Sequence, residues 1–136
     1  MGQTMAIFNY EFAVKIGLQE DVEEVSEFGV QINRAFGAGD TFVYIPLMAI
    51  SLAGLFLKKR WSLVTTAAVM GISAYWATTV AFMLLFLPGV PNYNFEPGPE
   101  YWLFISAYIL FGVWGVFYVI FRGDVLFGHR NSGPLD

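Results

Sequence analysis

The sequence predicts an all-α integral membrane protein in which three transmembrane helices follow an N-terminal amphipathic surface helix. Composition is the first indication, since 57% of the 136 residues are hydrophobic and only 13% are charged, whereas a soluble domain has about 25% charged residues. The second is the presence of three long apolar segments with no charged side chain in their interior. The third is a preceding segment in which apolar residues recur at helical spacing.

Residues 1–40 are predicted to form an amphipathic segment on the extracytoplasmic side, with a helix over residues 21–36. Asp21 and Glu24 have the spacing of a capping box at the start of this helix. Helices that bind lipid alone usually carry Lys and Arg on the polar face, but this polar face is acidic, which favours docking on protein. The predicted docking face consists of Val22, Val25, Phe28, Ile32 and Phe36.

Three apolar segments follow, at residues 41–57, 61–87 and 100–121, and they are predicted to pack as a transmembrane bundle over residues 41–122. The apolar core of a bilayer is about 30 Å thick and requires roughly 20 helical residues. The second and third segments meet this length, whereas the first is short and depends on its flanks. Residues 123–136 are predicted to form a short cytoplasmic tail.

Glycine and proline residues predict where these helices begin and end. Gly37-Ala38-Gly39 is expected to end the N-terminal helix, since glycine favours helix ends. Pro46 is expected to bend the first span because proline has no backbone N–H. Pro99 suits the first position of the third span, where a missing N–H costs nothing.

The distribution of Lys and Arg near the span ends predicts the orientation. Five basic residues lie in the first hairpin and after the third span, and two lie on the opposite side. The hairpin and the C-terminus are therefore predicted to be cytoplasmic and the N-terminus to lie outside, in a plasma membrane. The five are Lys58, Lys59, Arg60, Arg122 and Arg130, and the two are Lys15 and Arg34.

The interior of the three spans contains no Asp, Glu, Lys, Arg or His, and the chain has no cysteine. Its single histidine, His129, lies in the C-terminal tail. Because proton relays, pumps and metal sites within a membrane use such groups, the sequence predicts no catalytic residue, no cofactor and no metal site. A cation site formed by Asp40, Glu96 and Glu100 is a weaker alternative. The net charge of −4 argues against nucleic acid as a partner.

The stretch GISAYWATTVAF, residues 71–82, places hydroxyl and aromatic side chains in the middle of the second span. Trp and Tyr normally lie at the two membrane interfaces, so this face is predicted to contact something other than lipid. On a helical projection with 100° of rotation per residue, the members of this face lie within an arc of about 160°. They are Tyr75, Trp76, Thr78 and Thr79.

The third span carries a stripe with the seven-residue repeat of a helix–helix seam. Two interpretations of both faces remain open. They pack against another helix, which accounts for most of the polar stretch, or they wall a pocket for a lipid, a quinone or another apolar ligand. The stripe consists of Tyr101, Phe104, Tyr108, Phe111, Gly115, Tyr118 and Arg122, and Gly112 and Gly115 make the helix thin near its cytoplasmic half.

These observations predict a non-catalytic protein that acts as an accessory or structural subunit of a larger membrane complex. The alternative is a homo-oligomeric module that binds or transports an apolar small molecule. The predicted partners are membrane lipids and either other membrane protein subunits or copies of the chain itself. An enzyme is not expected, because a nucleophilic Ser or Thr needs a nearby base and the spans contain none.

Overall fold

The computed structural model describes residues 2–127 and is all-helical, without β-strands, over this part of the chain. Three of its helices are long and apolar enough to cross a membrane, which confirms the all-α class and the number of helices of spanning length. Residues 128–136, and with them His129 and Arg130, lie outside the described part. The helices are α1 (Gly2–Phe8), α2 (Tyr10–Lys15), α3 (Val22–Gly39), α4 (Ile45–Phe56), α5 (Ser62–Phe86) and α6 (Pro99–Arg122); a π-helical segment (Asp40–Tyr44) joins α3 to α4, and a 3₁₀ turn (Gly123–Phe127) follows α6.

The first helix of spanning length does not begin where the sequence predicts. α3, the π-helical segment and α4 form one continuous helix, Val22–Phe56, so the expectation that Gly37-Ala38-Gly39 ends the N-terminal helix is wrong. A glycine inside a helix costs only about 1 kcal/mol relative to alanine, and Gly37 is buried where α1 packs on α3. The amphipathic helix is therefore the N-terminal part of this long helix and not a separate surface helix.

Pro46 lies in the first turn of α4, immediately after the π-helical segment. There the Ile45 N–H donates to the Asp40 carbonyl, five residues back instead of four. Because proline has no N–H and its ring clashes with the carbonyl four residues earlier, a wider turn accommodates it. Pro46 thus changes the hydrogen-bond pattern while the helix continues.

The start of α3 shows the predicted capping box, in which the Asp21 N–H donates to Glu24 Oε2 at 3.1 Å. Ser26 then has φ 66° and ψ 166°, so the helix is kinked there. The kink interrupts the helical hydrogen bonds around it, and the Glu24 carbonyl accepts from the N–H groups of Asn94 and Phe95, at 2.7 and 3.1 Å. This contact attaches the loop between α5 and α6 to the start of α3.

The N-terminal helices form a small helical hairpin in which α1 packs along α3 and α2 packs against α1. Ala6 and Ala13 are fully buried in this contact, because their short side chains let the helices approach closely. The Thr41 hydroxyl of the π-helical segment donates to Thr4 Oγ1 at 2.9 Å. The segment that precedes α3 is therefore part of the fold.

α5 is the central helix of the remaining bundle. α4 packs on it along one side and α6 along another, while α4 and α6 make little direct contact with each other. α5 and α6 begin and end within one residue of the predicted segments 61–87 and 100–121. The antiparallel packing of α4 and α6 on α5 determines which of their side chains meet.

Candidate functional site

Two pairs of hydroxyl groups join the long first helix to α5. Tyr44 Oη and Ser73 Oγ are 2.8 Å apart, and Ser51 Oγ and Thr66 Oγ1 are 2.6 Å apart. The pairs are seven residues apart on each helix, which corresponds to two helical turns on matching faces. Ser51, Thr66 and Ser73 are only 3%, 7% and 6% exposed. The pairs therefore fix the register of the two helices within an apolar contact.

The direction of these hydrogen bonds follows from counting hydrogens. Ser73 Oγ donates to the Val69 carbonyl at 2.9 Å, and a hydroxyl has only one hydrogen to donate. Tyr44 must therefore donate to Ser73, which leaves lone pairs on the Tyr44 oxygen free to accept. In the other pair either Ser51 or Thr66 donates to its partner, and the second hydroxyl hydrogen has no acceptor among residues 2–127. The site offers both a free O–H donor and a free acceptor.

Both pairs lie along a groove between α4 and α6, with α5 as its floor. The groove has a volume of about 620 Å³ and is open to the surroundings along one side. It extends from the middle of α5 towards the turn that joins α4 to α5, since Leu55 and Thr66 line that end. The lining is mostly apolar and holds no charged side chain. It consists of Tyr44, Met48, Ser51, Leu52, Leu55, Thr66, Val69, Met70, Ser73, Ala107, Tyr108 and Phe111.

The structure does not bring together the four residues of the polar stretch on α5. Tyr75 is 73% exposed and lies outside the groove. Thr79 Oγ1 donates to the Tyr75 carbonyl of its own helix at 2.9 Å, and Thr78 is half-buried without lining the groove. Trp76 instead packs against Tyr108 of α6, with ring centroids 6.5 Å apart. These residues point in different directions, and only Trp76 contacts a neighbouring helix through its ring.

The predicted stripe on α6 divides into two parts. Gly112 and Gly115 lie in the contact with α5, where a Cβ on Gly112 would be 2.8 Å from both Ala74 N and Met70 O. Phe104 is 65% exposed and lies outside this contact. The seam with α5 is therefore narrow, and Phe104 of the aromatic repeat does not contribute to it.

Three further aromatic members of the stripe lie at different levels of α6. Tyr108 lines the groove, together with Phe111. Tyr101 lies far from the groove, because its hydroxyl donates to Glu20 Oε1 at 3.2 Å. Tyr108 and Phe111 of the stripe therefore line the groove, whereas Tyr101 bonds to Glu20, beside the N-terminal hairpin.

The predicted docking face on α3 is only partly covered. The kink at Ser26 turns Val22 and Val25 out of phase with the rest of the face, and Val25 is buried. Phe28 is 75% exposed. Val22 is exposed as well, and Ile32 and Phe36 are half-buried. α1 packs closer to the opposite side of α3, where Val30 and Gly37 are buried.

A second polar cluster surrounds Glu20 at the end of the bundle that holds the N-terminal hairpin. Asn33 Nδ2 donates to Glu20 Oε2 at 3.0 Å, and the Tyr10 hydroxyl donates to the Glu20 carbonyl at 3.0 Å. Burial raises the pKa of Tyr10, and burial followed by the charge of Glu20 raises the pKa of Tyr93. Together with Tyr101, these groups attach the N-terminal hairpin to the start of α6. The cluster has a structural role in this arrangement.

No metal-binding cluster is present in the part of the chain that the structure describes. Within residues 2–127, no three His, Cys, Asp or Glu side chains lie close enough to hold an ion. Asp40, Glu96 and Glu100, the weaker sequence alternative, are accordingly not assembled into a site.

The groove hydroxyls were not singled out from the sequence, although a signal for them exists. Tyr44 and Ser51 are seven residues apart on the first long helix, and Thr66 and Ser73 are seven residues apart on α5. Two hydroxyl pairs of equal spacing on consecutive antiparallel helices indicate a shared contact. The sequence of either helix alone does not reveal this shared contact.

Comparisons of the chain with protein-family models, with curated proteins and with solved structures find no match.

Proposed function

We propose that the chain is a non-catalytic membrane module that holds an apolar small molecule in the groove between α4 and α6. The groove itself carries this proposal. Its volume of about 620 Å³ lies within the range of roughly 300–1,000 Å³ typical of small-molecule sites. Its walls are apolar, and its few polar groups retain unused hydrogen-bonding capacity. Such a combination binds a hydrophobic body and orients one polar group on it.

The chemistry of the hydroxyl pairs limits what the ligand carries. The free O–H of the Ser51–Thr66 pair donates to a carbonyl or ether oxygen, and the Tyr44 oxygen accepts from a hydroxyl. The lining residues include no acid and no base, so the part of the ligand inside the groove is neutral. A lipid chain with its ester group and a quinone both satisfy these conditions.

Membrane insertion and orientation are part of the proposal. The three long apolar helices support insertion. The turn between α4 and α5 and the end of α6 lie together, since Arg60 pairs with Asp124 at 3.3 Å. Basic residues are concentrated at this end, which supports a cytoplasmic location for it. The N-terminal segment, residues 1–40, in which acidic residues outnumber basic ones, would then lie outside.

The absence of catalysis is proposed from the composition of the groove. A serine or threonine nucleophile requires a base within hydrogen-bonding reach. Ser51, Thr66 and Ser73 bond only to one another, to Tyr44 and to a backbone carbonyl among the described residues. These hydroxyls are suited to binding and not to proton abstraction.

The test fills the groove without disturbing the fold. Ala107 lines the groove and is exposed, so Ala107→Trp blocks the space without clashing with a buried neighbour. Ala49 is exposed on α4 outside the groove, and Ala49→Trp is the matched control. After extraction in mild detergent, mass spectrometry of the retained small molecules should show one species lost in Ala107→Trp and kept in Ala49→Trp. Identical retention in both variants would rule out the groove as a binding site.

A second candidate function is that of an accessory subunit in a larger membrane complex. The exposure of Phe28 within an acidic helix supports it, because a large aromatic side chain among exposed carboxylates favours contact with another protein. Phe28→Ser should release a partner of different sequence that copurifies with the wild-type chain. Phe8→Ser is the control, since Phe8 is equally exposed on α1. Purification of the wild-type chain as a defined homo-oligomer without such a partner would contradict this function.

A further inference from the structure

The turn that joins α4 to α5 presents three consecutive basic residues on a rigid backbone. The N–H of Lys58 donates to the Leu55 carbonyl at 3.0 Å, and the N–H of Lys59 donates to the Gly54 carbonyl at 2.8 Å. Ser62 Oγ in turn donates to the Lys59 carbonyl at 2.6 Å, which joins the turn to the start of α5. Both ends of the turn are therefore fixed by hydrogen bonds.

The backbone at Lys58 has φ 51°, in the left-handed region that favours glycine. Helices commonly end with a residue in this conformation, and glycine or asparagine usually occupies the position. A lysine there is conformationally less favourable. The turn therefore carries a positive charge at a position where glycine is the usual residue.

Positive charge exceeds negative charge at this end of the bundle. Lys58, Lys59, Arg60 and Arg122 face a single acidic residue, Asp124, which leaves a net charge of +3. The Arg60–Asp124 pair is the one salt bridge within residues 2–127. Both lysines are exposed and are free to bind an anion.

The groove ends about one helical turn short of this basic turn. Leu55, which lines its end, lies three residues before Lys58, and Thr66 lies four residues after Ser62 at the start of α5. An amphiphile lying along the groove therefore places its head at the turn and its chain towards the middle of α5. The Ser51–Thr66 pair lies just below the turn, at the level of a group that links head to chain.

We infer that the ligand of the groove is an anionic phospholipid, an assignment that rests on the proposed function of the groove. Its phosphate lies against Lys58 and Lys59, and one acyl chain lies along the apolar wall. The free O–H of the Ser51–Thr66 pair donates to an ester carbonyl. Basic clusters at the cytoplasmic surface attract anionic headgroups, and each Lys or Arg contributes about five-fold to the affinity.

The test compares two lipids with identical acyl chains, phosphatidylglycerol and phosphatidylcholine, by native mass spectrometry of the purified full chain. The wild-type protein should bind phosphatidylglycerol more tightly. The double variant Lys58→Gln/Lys59→Gln should lose about 25-fold of that affinity, which is five-fold for each lysine, with little change for phosphatidylcholine. Lys15→Gln, at the opposite end of the molecule, is the control and should keep the wild-type preference.

Ala107→Trp separates the two proposals in the same experiment. Weaker binding of both lipids by Ala107→Trp supports the groove as the site of the acyl chain. If Ala107→Trp weakens both lipids but Lys58→Gln/Lys59→Gln keeps the full preference for phosphatidylglycerol, the headgroup assignment is overturned and the groove remains a binding site. If Ala107→Trp binds both lipids as the wild-type chain does, the proposed function itself is overturned.

Discussion

The two helices that pack on α5 do so in different ways. α6 approaches through Gly112 and Gly115, so closely that a Cβ on Gly112 would be 2.8 Å from backbone atoms of α5. On the other side, the Tyr44–Ser73 and Ser51–Thr66 hydroxyl pairs hold the first long helix against α5. At Gly112 the α6 contact is backbone against backbone, whereas along the groove the α4 contact is made through side chains. Packing through side chains leaves space between α4 and α6, and this space is the groove.

This difference has a physical basis in a membrane. Apolar side chains gain little by leaving lipid for another helix, so close backbone packing and hydrogen bonds between helices provide the stability. Glycine permits the close backbone packing, and hydroxyl groups form the hydrogen bonds between helices. A contact made through glycine contains no space to be filled, while a contact made through side chains leaves room for a ligand. We therefore expect the α5–α6 contact to carry stability and the α4 side to carry binding.

The largest effect on stability is expected from introducing a side chain into the glycine contact between α5 and α6. Gly112→Val places a branched side chain against Ala74 N and Met70 O, which cannot move aside. Overpacking of this kind costs roughly 1–3 kcal/mol, so the melting temperature in detergent should fall markedly. Gly71→Ala is the control, because nothing lies within 4 Å of its Cβ position. An unchanged melting temperature for Gly112→Val would show that α6 does not pack on α5 in this way.

An intermediate effect is expected at Trp76, which packs against Tyr108 across the same contact. Trp76→Ala removes a half-buried ring and should destabilise the fold by about 1–2 kcal/mol, less than the loss for a fully buried ring. Tyr75→Ala, one residue away but 73% exposed, should change stability by less than about 0.5 kcal/mol. Thermal unfolding of the two variants side by side measures the contrast. Equal losses would mean that the exposed face of α5 is covered by another helix.

The smallest effect on stability is expected from the hydroxyl pair Ser51–Thr66. A double-mutant cycle with Ser51→Ala and Thr66→Val should give a coupling energy of about 0.6 kcal/mol, the average for hydrogen bonds between membrane helices. The double variant should nevertheless lose the retained ligand, because the free O–H donor disappears. A coupling energy of several kcal/mol, with the ligand still bound, would assign this pair to stability alone.

The sequence predicted the parts of this structure that depend on local signals. Apolar length located α5 and α6, and the spacing of Asp21 and Glu24 identified the capping box. The failure at Gly37-Ala38-Gly39 arose because glycine weakens a helix without ending it, and neighbouring α1 packs over this region. The kink at Ser26 has no sequence signal that distinguishes it from an ordinary helical serine.

The position of the candidate site could not be predicted from the sequence of any one helix. A helical projection places Tyr75, Trp76, Thr78 and Thr79 on one arc of α5, but it does not show which side of α5 receives α4 or α6. The groove requires the antiparallel register between Tyr44 and Ser73, which the tertiary structure supplies. The equal spacing of hydroxyl residues on the two consecutive helices is the sequence pattern that indicates this contact.

Photolabelling tests the central claim, that the groove holds a ligand while the glycine contact is closed, most directly. The full chain is reconstituted with phosphatidylglycerol that carries a diazirine on one acyl chain, and the labelled residues are mapped by peptide mass spectrometry. We expect labelling concentrated at Leu52, Ala107 and Phe111, which line the groove, and abolished by excess unlabelled lipid. Labelling that is spread evenly over exposed residues of α6, such as Leu103 and Phe117, and that excess lipid does not reduce would contradict the account.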